Sequence, residues 1–274
     1  MAFIACNLKI MMNAQTIITE IRGPMARLWL NRPGVRNALD KQMLEDLFSA
    51  IEKINSNPAI RIVSLRGMGS SFCSGADLGW MQKAQGMSLD ENYRESILLA
   101  QCFHALYSSP KIIVAGIHGA ALGGAIGLVS ASDMAITTNT TVFAFSEVKL
   151  GLIPATVAPY LLRKCSSGKI MEYLLTGRKF NGHDAVSIGL VNRSVPDEQF
   201  EQVHEDLLTE LLKAAPDAQL KIKELIRSLT GSAPEITIMA RTASLLAETR
   251  VSEEAREGIR AFLEKRQPGW MSGQ

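Results

Sequence analysis

Short apolar runs recur along the first two thirds of this chain, and helix patterns separate them. The run IRIVSL (60–65) is almost continuously apolar. A strand that is buried on both faces has this pattern, because neither face meets water. The helix predicted over 41–54 has apolar residues at helical spacing. KIIVAGIHG (111–119) predicts a further strand, and the small residues over 120–133 predict a helix after it. The alternation therefore predicts an α/β fold built from repeating strand–strand–helix units.

The strand pattern ends near Pro196, and four helix patterns follow it. The first residues, MAFIACNLKIMMN, are apolar but interrupted by Lys9, and no clear cleavage site follows them, so we interpret them as an extension rather than a signal peptide. The chain is therefore divided into an N-terminal extension over residues 1–13, a β/α core over 14–200 and a helical C-terminal region over 201–274.

Charge and cysteine content narrow the possible partners. The 274 residues include 29 basic and 27 acidic ones, for a net charge of +2, and no basic block stands out. We therefore expect no nucleic-acid partner. The four cysteines form no CxxC pair and have no histidine at metal-ligand spacing, which predicts reduced thiols in a cytoplasmic protein and no metal site. No run has the length and apolarity of a transmembrane helix, so we expect no membrane partner.

Three stretches place small residues or a carboxylate just after a predicted strand. They are SSFCSGADLGWM (70–81), GAALGGAIG (119–127) and FAFSEVKLGLIPA (143–155), which contains Glu147. Taken singly, each also fits a structural explanation: a tight connection, close helix packing and a solvated carboxylate. Two backbone N–H groups that converge from the first two stretches would form an oxyanion hole, which stabilises negative charge on a carbonyl oxygen.

In combination, these stretches resemble the crotonase (enoyl-CoA hydratase/isomerase) superfamily in their order and spacing. LNRPGVRNALD (30–40) resembles the opening signature of that family, GHDAVSIGLVNRSVP (182–196) its AxxxGLVxxV motif, and FLEKRQPGW (262–270) its C-terminal end. The resemblance extends over nearly the whole chain from about Thr16. It implies an α/β crotonase (ClpP-like) spiral of repeated ββα units with a C-terminal all-α region. It also implies a homotrimer or a hexamer (a dimer of trimers), with trimer contacts in the C-terminal region.

The resemblance further implies an acyl-CoA substrate, with coenzyme A as part of the substrate and no separate cofactor. The thioester oxygen would accept from the backbone N–H groups of Ser74 and Gly124, and Glu147 would act as the acid/base. The residues implied to contact the acyl group or its CoA part are Arg36, Ala38, Cys73, Gly75, Ala76, Asp77, Leu78, Gly123, Gly127 and Lys265, with Arg266 as a further basic candidate.

The chain departs from the two-glutamate hydratases of this family at Gly127, where the first glutamate would stand. Glu147 alone could hydrate a 2-enoyl-CoA, or it could shift the double bond of a 3-enoyl-CoA. A third alternative is a protein that binds acyl-CoA without turnover. We expect hydration, because SEVKLGLIPA resembles the bacterial methylglutaconyl-CoA hydratase-like members. We also expect Gly127 to leave volume, and less negative charge, for an acyl group that carries its own carboxylate.

Overall fold

The structure, a computed structural model, describes residues 10–214, 216–229 and 236–268. Within these ranges the strands β1 to β9 are Ile10–Asn13, Ile17–Arg22, Met25–Leu30, Ile62–Gly67, Ile112–Ile117, Ala120–Leu122, Met134–Thr138, Val142–Ala144 and Arg193–Val195. The helices α1 to α11 are Lys41–Asn55, Leu78–Ala84, Leu89–Ser108, Gly124–Ala131, Ala158–Lys164, Ser167–Thr176, Gly182–Ser187, Phe200–Lys213, Pro216–Leu229, Ile236–Arg250 and Glu253–Leu263.

The larger sheet has seven strands in the order β1-β2-β3-β4-β5-β7-β9. The first three pair antiparallel, and every pair from β3 to β9 is parallel. Every residue of β4 and β5 is buried, which confirms the two-sided burial predicted for the IRIVSL run. Residues 10–13 were predicted to belong to an extension before the fold, but they form β1 and pair with β2, so that boundary was wrong.

A smaller parallel sheet pairs β6 with β8. Each of these short strands directly follows a strand of the larger sheet, β5 or β7. An isolated bridge between Cys73 and Ala121 adds the segment after β4 to the edge of β6 that does not pair with β8. The predicted strand–strand–helix repeat is therefore confirmed, and the repeat brings together the segments that follow β4, β6 and β8.

The helix predicted over residues 120–133 begins later than the sequence suggested. Ala120–Leu122 form β6, and α4 starts only at Gly124. Gly123 separates the two with a φ of 51°, a conformation that glycine adopts without a steric penalty. The small-residue run was wrongly read as one helix because its β6 part pairs with β8, a contact about twenty residues away in the sequence.

Helices from the C-terminal region cover the core on two sides. Leu208 of α8 packs with Ile62, Ile112 and Val114 of the larger sheet. Helix α10 packs along α3, and α11 lies against residues 146–150, where the backbone of Gly258 approaches Leu150 too closely for a side chain. Of the helices in the described part of the chain, none is long and apolar enough to cross a membrane.

Candidate active site

A cavity of about 700 Å³ opens where the three stretches singled out in the sequence meet. The predicted site residues that line it are Arg36, Ala38, Ser74, Gly75, Ala76, Asp77, Leu78, Gly123, Gly124 and Glu147. Helices α10 and α11 close another part of its wall with Leu246, Arg250, Ile259 and Phe262. The predicted convergence of the first two stretches is therefore confirmed.

Backbone hydrogen bonds hold the first two stretches against each other. The Cys73 N–H donates to the Ala120 carbonyl at 3.0 Å, and the Leu122 N–H donates to the Cys73 carbonyl at 3.2 Å. Gly75 has a φ of 92°, and a Cβ there would lie 2.8 Å from the Leu122 carbonyl oxygen. Only glycine fits this crossing, which explains the small residues of the SGA sequence.

The free N–H group of the first stretch belongs to Ala76 rather than Ser74. The Ser74 N–H donates to the Arg36 carbonyl at 2.9 Å, so it cannot also serve a ligand. The Leu39 N–H donates to Gly75 and the Asp77 N–H donates to Leu39, at 2.7 and 2.8 Å. Alternate groups of an extended segment point to opposite sides, so the Ala76 N–H faces away from Leu39. No acceptor for it lies among the described residues, and the assignment of Ser74 as the oxyanion donor was wrong.

Gly124 supplies the free N–H group of the second stretch. It is the first residue of α4, and the first N–H groups of a helix have no partner within the helix. The preceding Gly123 N–H is occupied, since it donates to the Ala144 carbonyl at 2.9 Å. In the described part of the chain nothing accepts from the Gly124 N–H, and the positive end of the helix dipole adds to its attraction for an anion.

Glu147 lies in a short 3-10 turn, Ser146–Leu150, directly after β8. Its carboxylate stands against the start of α4, because a Cβ on Gly123 would lie 3.4 Å from Glu147 Oε1. Its Oε2 is buried and has no hydrogen-bond partner among the described residues. Burial raises the pKa of Glu147 to about 7, and a hydrogen bond from its own backbone N–H opposes part of that rise. A carboxyl with this pKa both takes and returns protons near neutral pH.

Gly127 does not line the cavity, contrary to expectation. A Cβ at this position would meet the ring of Phe103 at 2.2 to 2.7 Å. Phe103 lies on α3 and is fully buried, so its ring already fills the space that a glutamate at 127 would need. The predicted extra volume for substrate is therefore absent at Gly127. Where two-glutamate hydratases would have their first glutamate, this chain has a glycine with the Phe103 ring of α3 packed against it.

Two further predicted residues lie outside the cavity lining of this chain, Cys73 and Lys265. Cys73 is fully buried, and burial raises the pKa of its thiol to about 12, so it packs and does not act as a nucleophile. Lys265 is exposed. The guanidinium of the neighbouring Arg266 pairs with Glu257 and Glu264 at 2.7 and 2.6 Å, so it is already engaged within the chain.

The backbone of the first stretch is held by two residues whose role was not predicted from the sequence, Asn37 and Arg32. Asn37 is fully buried, and its Nδ2 donates to the carbonyls of Met68 and Ser71, both at 2.8 Å. Arg32 pairs with Asp77, whose carboxylate also caps the start of α2. The sequence signal for Asn37 is its place in a predicted loop, NRPGVRNALD, that already contains a Pro-Gly break.

Comparison with known proteins agrees with the geometry of the cavity. The chain matches the family model described as "Enoyl-CoA hydratase/isomerase" over residues 20–273. A Thermus thermophilus protein whose name refers to an enoyl-CoA hydratase is 36% identical over 248 residues, which are 90% of this chain and 97% of that protein. The "Probable enoyl-CoA hydratase" of Rhodobacter capsulatus is 32% identical, with coverage of 94% and 98%. The solved structure of a Mycobacterium avium enoyl-CoA hydratase superposes with a TM-score of 0.81 at 32% identity, covering 94% of this chain and 100% of that one.

Proposed function

Since the chain belongs to the enoyl-CoA hydratase/isomerase family, with the crotonase fold, we propose that it is a hydratase that adds water across the 2,3-double bond of a 2-enoyl-CoA thioester. The observation that carries this proposal is the buried Oε2 of Glu147, which has no hydrogen-bond partner among the described residues. Its carboxylate stands against Gly123, the residue before the free N–H group of Gly124. A base and an oxyanion donor in one apolar cavity are the groups that this reaction requires.

The two free N–H groups, on Ala76 and Gly124, would hold the thioester oxygen. Negative charge develops on that oxygen when hydroxide adds to C3 and an enolate forms. Donors fixed in advance in a water-excluding site stabilise such charge strongly, and one donor is worth about 3 to 4 kcal/mol in the transition state. Their backbone positions are fixed by the bonds that join Leu39, Cys73 and Leu122 to their neighbours.

Glu147 would perform both proton transfers. Its carboxylate takes a proton from water while the water oxygen bonds to C3, and the electrons of the double bond move toward the thioester carbonyl. The protonated carboxyl then returns the proton to C2 as the enolate collapses, so that H and OH add to the same face. The pKa of about 7 favours this double role, because neither protonation state is strongly preferred at neutral pH.

The second carboxylate of the cavity, Asp77, is committed to other contacts. It accepts from the N–H groups of Gly79 and Trp80 and pairs with Arg32 at 3.1 Å. This leaves Glu147 as the single acid/base of the cavity lining in the described part of the chain. A single base also suits the isomerisation of a 3-enoyl-CoA, in which the base removes a proton from C2 and returns it to C4 as the double bond moves to C2–C3. Isomerisation is therefore the second candidate.

The coenzyme A part of the substrate requires cations for its phosphates. Arg36 and Lys149 line the cavity and are exposed, so we propose these two, rather than Lys265 of the same chain, as the phosphate contacts. Coenzyme A would enter with the substrate, and no separate cofactor is proposed. We also propose a homotrimer or a hexamer, which exposed apolar residues on α6 and α9, including Leu175 and Ile222, support.

The test is Glu147→Gln with Glu198→Gln as a matched control, because Glu198 is exposed and distant in sequence from the cavity residues. We expect Glu147→Gln to lower kcat by about 10²- to 10⁴-fold, the usual contribution of a general base. The Kd of crotonyl-CoA for Glu147→Gln, measured by calorimetry, should remain close to the KM of the unaltered protein. Retained hydration in Glu147→Gln would contradict the proposal. Binding without hydration in the unaltered protein would favour the non-catalytic alternative.

A further inference from the structure

Arg250 places a positive charge in the part of the cavity wall that is otherwise apolar. It is the last residue of α10 and is partly buried. Its guanidinium carbon lies 5.2 Å from the centre of the Trp80 ring, and its Nη1 lies 3.5 Å from Ser96 Oγ. Both neighbours belong to the helices that follow the first stretch, α2 and α3. The face of the Trp80 ring attracts the guanidinium group and so helps to hold it in the cavity wall.

No carboxylate pairs with this guanidinium in the described part of the chain. Glu95 attracts the guanidinium from beyond ion-pair distance, but its carboxylate accepts the hydrogen bond of Trp80 Nε1 and so anchors the ring over which Arg250 lies. Burial lowers the pKa of Arg250 to about 10. A partly buried charge that has no opposite charge beside it is costly, and a ligand that supplies the opposite charge would offset that cost.

The surroundings of Arg250 suit an acyl chain better than a phosphate. Met81, Ala84, Leu99 and Leu246 line the cavity with it, and all four are apolar. The exposed cations Arg36 and Lys149 lie on other elements, the loop after β3 and the turn after β8. An arginine fork binds a carboxylate through two parallel hydrogen bonds, which gives direction as well as charge recognition.

We infer that Arg250 recognises a carboxylate at the far end of the acyl chain, so that the preferred substrate is a 2-enoyl-CoA whose acyl group ends in a carboxylate. This inference rests on the proposed hydratase function and names its substrate class. It replaces the expectation that Gly127 provides for such a group, because the space next to Gly127 holds the Phe103 ring. Arg250 is a specificity residue in this account, and the proton transfers remain with Glu147.

The experiment compares glutaconyl-CoA with crotonyl-CoA, two 2-enoyl thioesters that differ only by the terminal carboxylate. The readout is the ratio of their kcat/KM values in the unaltered protein, in Arg250→Met and in Arg250→Lys. Arg256→Met serves as the matched control, because Arg256 is an exposed arginine of the next helix, α11. We expect the unaltered protein and the control to favour glutaconyl-CoA. The ratio should fall about 10- to 100-fold in Arg250→Met, and less in Arg250→Lys, which keeps the charge without the fork.

Two results would overturn the inference: equal losses on both substrates in Arg250→Met, or a preference of the unaltered protein for crotonyl-CoA. A protein that hydrates neither thioester would refute the proposed function instead. In that case the Kd values of the saturated pair, glutaryl-CoA and butyryl-CoA, test Arg250 separately by calorimetry. Tighter binding of glutaryl-CoA that is lost in Arg250→Met and reduced in Arg250→Lys supports the inference, and equal binding of the two thioesters by the unaltered protein contradicts it. The binding comparison with Arg250→Lys also decides the matter if Arg250→Met fails to fold.

Discussion

Replacing Glu147 by glutamine should change how the stability of the protein depends on pH. The pKa of this carboxyl is about 7 in the folded protein, against an ordinary value of 4.5. The shift is caused by burial, which penalises the ionised form. Each unit of pKa corresponds to 1.36 kcal/mol, so the folded state disfavours the carboxylate by about 3 kcal/mol relative to the unfolded chain.

The direction follows from proton binding. Below pH 4.5 the carboxyl is protonated in both states and its stabilising contribution is complete. As the pH rises through 7, the folded protein must give up a proton that the unfolded chain has already lost, and the contribution disappears. Glutamine does not titrate. The free energy of unfolding of Glu147→Gln, relative to the unaltered protein, should therefore increase by roughly 2 to 3 kcal/mol between pH 5 and pH 8.

Urea unfolding of both proteins, followed by circular dichroism at pH 5 and pH 8, measures this difference. The other titrating groups are common to the two proteins and largely cancel. The same pKa predicts that kcat/KM of the unaltered protein rises with pH and levels off above about 7, because the base must be ionised in the free enzyme. A stability difference that is the same at both pH values would refute the assignment of a buried, weakly solvated carboxyl to Glu147.

Three other changes test the architecture of the cavity. Gly124→Pro removes the proposed donor at a helix position where proline is tolerated, and kcat should fall about 10²- to 10³-fold. Gly124→Ala keeps the N–H, and its Cβ would lie 3.4 Å from Leu39, so equal losses in the two variants would argue against the donor role. Gly127→Ala should lower the free energy of unfolding by about 1 to 3 kcal/mol, because the added methyl group presses on the Phe103 ring. A smaller loss in the Phe103→Leu background would confirm the contact, and an equal loss in both backgrounds would contradict it. Asn37→Ala removes the side-chain donor to the carbonyls of Met68 and Ser71, the second of which is buried. We expect a loss of about 2 to 4 kcal/mol by urea unfolding, and a loss below about 1 kcal/mol would contradict the scaffold role.

Local patterns were sufficient to predict the parts of the fold that rest on local physics. The buried strands β4 and β5 follow from continuous apolar runs, and α1 follows from apolar residues at helical spacing. The position of Glu147 directly after a strand was also readable. The family resemblance then indicated which of the loops face one another.

The parts that failed depend on contacts between distant residues. Ser74 and Ala76 are both small and lie in the same loop, and only the pairing with residues 36–39 decides which N–H is free. Gly127 looks like an open position until the ring of Phe103, 24 residues earlier, is placed against it. Arg250 belongs to no local motif, and it enters the cavity because α10 packs along α3. These contacts join residues that are far apart in the sequence, so no short stretch of a single sequence predicts them.

The central claim is that this cavity adds water to a 2-enoyl-CoA with Glu147 as its single acid/base. The most direct measurement is mass spectrometry of the thioester after incubation with crotonyl-CoA in water enriched in oxygen-18, using the unaltered protein and Glu147→Gln side by side. The account predicts a product heavier by one labelled water with the unaltered protein and almost none with Glu147→Gln. A thioester of unchanged mass with both proteins, together with conversion of a 3-enoyl-CoA to its 2-enoyl isomer by the unaltered protein, would contradict it.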